Sequence, residues 1–182
     1  MIVSLTGHTK GLGNAIFNKL NKTYQIKGLS RSNGWDIKDV DSIIAEVRDT
    51  DVFINNAYSN RYQSELFIKL FYEWKYTNKI IININSSMVI DGNSDSDYYH
   101  NKVNLKKVVD TAISDTQNKT VRIMNLFPST LSTNYYYKNL NKIDNNYIAS
   151  LIEWVLKQPS DIELRDVIIY PSERENFKKT LL

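Results

Sequence analysis

The strongest constraint on this chain is a regular alternation of short apolar runs with amphipathic stretches. The runs Ile2–Leu5, Tyr24–Leu29, Val52–Ile54, Ile80–Ile84, Val121–Leu126 and Val167–Tyr170 read as strands covered on both faces. Between them, Asn14–Leu20, Val40–Val47, Ser64–Trp74, Tyr98–Ala112 and Asn146–Leu156 carry apolar residues three and four apart, as helices lying on a sheet do. Strand and helix in alternation imply parallel pairing through right-handed crossovers.

The expected fold is therefore α/β: a Rossmann-like, doubly wound parallel sheet of about six strands flanked by helices in three α/β/α layers. A chain of 182 residues buries enough apolar surface to form such a core as one domain, residues 1–182. The absence of cysteine excludes disulfide frameworks, thiolate catalysis and cysteine-ligated metals, and suits an intracellular, cytoplasmic setting. Lys and Arg number 23 against 20 Asp and Glu, interspersed, for a net charge of +3. A nucleic-acid partner would require those cations clustered on one face, so none is expected. No segment approaches the length of a membrane span and Met1 leads straight into the first run, so no membrane partner is expected either.

In an open sheet of this kind ligands bind outside the carboxyl ends of the strands, and the informative residues fall there. Directly after the first run comes Thr6-Gly7-His8-Thr9-Lys10-Gly11-Leu12-Gly13, which opens a helix and holds three of the six glycines. Glycine lets backbone turn sharply and approach a pyrophosphate, while the free N–H groups at the start of the helix stabilise its charge. The second run ends Gly28-Leu29-Ser30-Arg31-Ser32. A carboxylate at this place would bond a ribose diol and repel a 2′-phosphate. Ser30 stands there instead, Arg31 can grip phosphate with two parallel N–H groups, and Lys10 adds a second cation, a set that favours NADP(H).

Three further segments complete the pattern. The third run continues into Asn55-Asn56-Ala57, the fourth ends in Ser86-Ser87, and Tyr98 and Lys102 lie four apart at the start of a helix, on one face. Taken in order, TGxxxGxG, Asn-Asn-Ala, the serine pair and Tyr-x-x-x-Lys resemble the short-chain dehydrogenases/reductases. The likeness runs from Thr6 to about Tyr170.

This resemblance implies an NADP(H)-dependent oxidoreductase acting on a small carbonyl or alcohol substrate. It implies that Ser87 bonds the substrate oxygen, Tyr98 exchanges a proton with it, Lys102 holds the cofactor ribose and tunes Tyr98, and Asn60 anchors a relay water. A nearby ammonium is expected to favour the Tyr98 phenolate. The implied cofactor contacts are Thr6, Gly7, Thr9, Lys10, Gly11, Leu12, Gly13, Ser30 and Arg31, with Asp36 and Ile37 beside the adenine. Asn55, Asn56 and Ala57 would line the cleft, with Tyr98, Lys102, Pro128 and Thr133 toward the nicotinamide.

The sequence also departs from the family. Tyr58 and Ser129 stand where glycine is usual, and Arg31 to Asp36 leaves no room for a further helix and strand. The segments Ser87 to Tyr98 and Thr133 to Val167 are brief, and the tyrosines at 135–137 fall where substrate is commonly covered. Homodimerisation through the helices starting near Ser64 and Tyr98 is expected. Two alternatives stay open: an NADP(H)-binding sensor or scaffold with a reduced pocket, and a nucleotide-sugar reductase or epimerase.

Overall fold

The computed structural model describes residues 1–92, 94–115, 119–132 and 141–172. Its strands are β1 (Ile2–Thr6), β2 (Gln25–Leu29), β3 (Val52–Asn55), β4 (Ile80–Ile84), β5 (Arg122–Pro128) and β6 (Asp166–Ile169). Its helices are α1 (Gly11–Leu20), α2 (Val40–Val47), α3 (Tyr62–Trp74), α4 (Met88–Asp91), α5 (Asp97–Ser114) and α6 (Asn145–Leu156). All six strands pair in parallel in the order β2-β1-β3-β4-β5-β6. This is the doubly wound sheet that the alternation predicts.

The two-residue period of a strand divides the core between two faces. In β4, Ile82 and Ile84 join Val3, Leu5, Ile54 and Leu126 beneath Ile16 and Leu20 of α1 and Ile148 and Ile152 of α6. Ile81 points the other way and joins Phe53 and Ile123 beneath α2, α3 and α5, where Phe67, Leu70, Trp74, Leu105 and Val109 pack. Among the described residues both faces of the sheet are covered by helices, so the carboxyl ends of the strands are the place where a ligand is expected.

Two features place that end. From β1 the chain crosses to β2 on one side, while β3 returns to pair with β1 on the other, so a crevice opens beyond Thr6 and Asn55. After β2 there is only a single tight turn, Arg31–Asn33, before the chain reaches α2. The compression seen between Arg31 and Asp36 thus leaves β2 as a sheet edge and brings the Arg31 turn to the rim of the crevice.

Candidate active site

The crevice is stitched by one hydroxyl. Thr6 Oγ1 accepts from the backbone N–H of both Asn56 and Ala57 at 3.0 Å, and the Asn56 amide donates back to the Thr6 carbonyl at 2.9 Å. Gly7 N donates to the Leu29 carbonyl at 2.7 Å, so the glycine loop is tied to β2 and β3 together. Gly7 has φ +72°, which disfavours any side chain, and a Cβ on Gly13 would lie 2.0 Å from the Gly7 carbonyl oxygen. These two glycines bring the start of α1 down onto the end of β1.

The donors exposed by that approach suit an anion. Lys10, at the N-terminal boundary of α1, makes no side-chain capping bond, and the first turn holds no acidic residue. The early N–H groups of a helix have no carbonyl partners within it, and here no side chain takes their place. Lys10 and Thr9 are exposed at this mouth, as is Arg31 at the rim. Ser30 is nearly buried; its hydroxyl meets Ser32 Oγ at 2.8 Å, and its N–H donates to Asn33 Oδ1 at 2.8 Å, which fixes the turn carrying Arg31. The uncapped helix start and the glycine loop therefore fit the pyrophosphate of a dinucleotide.

Other proposed contacts are placed differently. Asp36 Oδ1 accepts from the Lys38 N–H at 3.0 Å, and Ile37 is buried in the core with Leu29 and Val40, so its side chain serves packing first. Pro128 closes β5, and its carbonyl accepts from Ser87 N at 3.1 Å. Leu12 is buried under α1. Thr133 and the tyrosines at 135–137 lie outside the described residues.

Tyr98 and Lys102 do converge. Lys102 is 3% exposed, and its ammonium donates to Ile84 O at 2.7 Å and Gln63 Oε1 at 2.8 Å. It stands 5.6 Å from the centre of the Tyr98 ring and 5.7 Å from that of Tyr58. Burial lowers the Lys102 pKa to about 7. Burial also raises that of Tyr98, aided by the nearby Tyr58 phenol and opposed by a side-chain hydrogen bond with Ser86. Desolvation thus opposes the phenolate that an ammonium and an oxidised nicotinamide are expected to favour. It weighs more here than a lysine that burial itself drives toward neutrality.

Both serines after β4 are buried, and the Ser86 side chain is among the influences on the Tyr98 phenol, lowering its pKa. The strand ends at Ile84 and the chain then turns into α4, with the Ser87 N–H donating to the Pro128 carbonyl at 3.1 Å. Asn60 is exposed in the turn before α3, at φ 44°. The α3 residue that reaches the lysine is Gln63, which sequence reading missed. Its Nε2 donates to Asn55 O at 2.8 Å and Ile84 O at 3.0 Å, while Asn55 Nδ2 returns a bond to Gln63 O at 2.9 Å and another to Asn83 Oδ1 at 3.1 Å. A polar residue at the second position of an otherwise apolar helix face was the available signal.

Among the described residues no cluster of His, Asp or Glu has the grouping of a metal site, and no helix is long and apolar enough to cross a membrane. No protein-family profile and no curated protein matches the sequence. Solved structures do resemble the fold. A short-chain dehydrogenase/reductase from Vibrio parahaemolyticus superposes with a TM-score of 0.75 at 12% identity, covering 92% of this chain and 98% of that one. An alcohol dehydrogenase from Thermococcus sibiricus, complexed with 5-hydroxy-NADP, gives 0.70 at 15%, covering 92% and 95%. The 3-alpha-hydroxysteroid dehydrogenase from Pseudomonas sp. B-0831, complexed with NADH, gives 0.73 at 13%, covering 93% and 95%.

Proposed function

We propose that this chain, whose fold is that of the short-chain dehydrogenases/reductases, is an NADP(H)-dependent oxidoreductase that interconverts a small carbonyl compound and its alcohol. The observation that carries this reading is the convergence of Tyr98 and Lys102, with Ser86 acting on the same phenol, at the end of the sheet where the uncapped start of α1 lies. A nicotinamide bound there would supply or accept the hydride.

The side chains account for the proton. Tyr98 holds its proton because its pKa is raised, so its Oη–H is an acid ready for a carbonyl oxygen. The Ser86 Oγ–H can donate to the same oxygen and stabilise charge building on it. Loss of the Tyr98 proton leaves a phenolate, which the Lys102 amine, when protonated, stabilises from its position beside the ring. Gln63 and Ile84 O hold that amine in place. In the alcohol-to-carbonyl direction Tyr98 Oη takes the proton back.

The preference for NADP(H) rests on Ser30, Arg31 and Lys10. Arg31 and Lys10 are exposed cations at the rim, where a carboxylate would repel a 2′-phosphate. The Pseudomonas neighbour, complexed with NADH, illustrates that the fold serves either nucleotide. A second copy of the chain docked on α3 and α5 and a cytoplasmic setting complete the proposal.

The test is oxidation of NADPH, followed by absorbance, across a panel of small ketones and aldehydes. Tyr98→Phe is expected to lower turnover by at least roughly a hundredfold while leaving cofactor affinity nearly unchanged. Full activity in Tyr98→Phe would end this assignment. Tight NADPH binding without turnover on any carbonyl would favour the sensor reading.

A further inference from the structure

Tyr58 is left over from this account. It follows Asn55-Asn56-Ala57 at the carboxyl end of β3, where the resemblance leads one to expect glycine, and its ring stands on the crevice, 38% exposed. The ring meets Tyr98 edge to face, with centroids 4.8 Å apart and planes at 66°. Lys102 Nζ lies 5.7 Å from the Tyr58 centroid, and the Tyr58 hydroxyl receives only a long 3.5 Å contact from Asn101 Nδ2. Lys102 is thus roofed by two aromatic rings while Gln63 and Ile84 O hold its amine from below. Of the two rings, Tyr58 is the more exposed.

We propose that Tyr58 is an aromatic gate over Lys102, which any ligand that contacts the lysine amine must displace. The inference rests on the nicotinamide reading for the identity of that ligand, but not for the gate itself. The contacts holding it shut are one edge-to-face aromatic pair and one cation–π contact, each of modest strength. A closed gate multiplies apparent affinity by the fraction of molecules that are open, so removing the ring is expected to tighten ligand binding roughly tenfold. A ring that merely packed against Tyr98, or that a ligand stacked upon, predicts the opposite: truncation would weaken binding.

Two measurements on cofactor-free protein separate these possibilities. In the first, Lys102 is acylated with acetic anhydride near pH 8 and its modification followed by mass spectrometry of the digested protein. Tyr58→Ala is expected to accelerate modification of Lys102 about tenfold, whereas Tyr58→Phe, which keeps the ring, reacts at the wild-type rate. Tyr58→Gly serves as a second truncation should the alanine variant fold poorly. Equal rates in wild type and both truncated forms would overturn the gate.

In the second, NADPH is titrated by fluorescence into the same proteins. Tighter binding to the truncated forms, with Tyr58→Phe unchanged, supports the gate; equal or weaker binding refutes it. If no form binds NADPH while Lys102 becomes reactive only in the truncated forms, the nicotinamide reading fails and the gate stands.

Discussion

The burial of Lys102 makes folding stability depend on pH in a specific direction. Its pKa is lowered from 10.5 to about 7 in the folded chain. Between those values the unfolded state binds the extra proton, so stability rises with pH across the window and this contribution is lost as pH falls toward about 7. At pH 7 the folded lysine retains roughly half its proton, and by pH 8.5 almost none, while the unfolded one stays charged throughout. Integrating that difference gives a gain of roughly 1–2 kcal/mol from pH 7 to 8.5. Tyr98 does not interfere: its pKa is raised above 10, so it acts only at higher pH. The assay is urea denaturation of cofactor-free wild type and Lys102→Met at several pH values. Lys102→Met leaves the Gln63 and Ile84 oxygens without their donor and lowers stability overall. The informative quantity is therefore the wild-type minus mutant difference against pH, which isolates Lys102 from groups common to both. It is predicted to climb by roughly 1–2 kcal/mol. A flat or falling difference would refute the claim that the lysine is held in a dry, unneutralised site.

Other consequences are independent of that one. The serine that bonds the substrate oxygen is expected to lose about a hundredfold in kcat on replacement by alanine; steady-state kinetics on Ser86→Ala and Ser87→Ala identifies it, the larger loss being expected in Ser86→Ala because its side chain acts on the Tyr98 phenol. Gly13→Ala places a methyl 2.0 Å from the Gly7 carbonyl oxygen, a backbone clash expected to cost about 3 kcal/mol or more, measurable by denaturation.

What the sequence carried well was whatever depends on period and composition. The apolar runs marked all six strands to within two residues at either end, because a sheet buried on both faces requires continuous hydrophobicity. The glycine loop was equally legible, since few other arrangements need three glycines between a strand and a helix. The misses share a cause: they concern where a side chain points after regular structure ends. Ser86 and Ser87 are chemically identical neighbours, and the turn beyond Ile84 that selects between them has no period to read. Gln63 was overlooked because it is defined by a contact with Lys102 on a helix 39 residues away. The Tyr98 phenolate was expected from charge alone, yet burial, which belongs to the assembled layers and not to the Tyr-x-x-x-Lys spacing, decides its direction.

The central claim is that the crevice at Thr6–Gly13 and Ser30–Arg31 holds a dinucleotide with a 2′-phosphate, and the most direct measurement is calorimetric titration of the purified chain with NADPH and with NADH. NADPH is predicted to bind at least about tenfold more tightly, and the double variant Lys10→Ala, Arg31→Ala to lose that preference while still binding NADH. Equal affinity for the two nucleotides in the wild type, or binding of neither, would contradict the account.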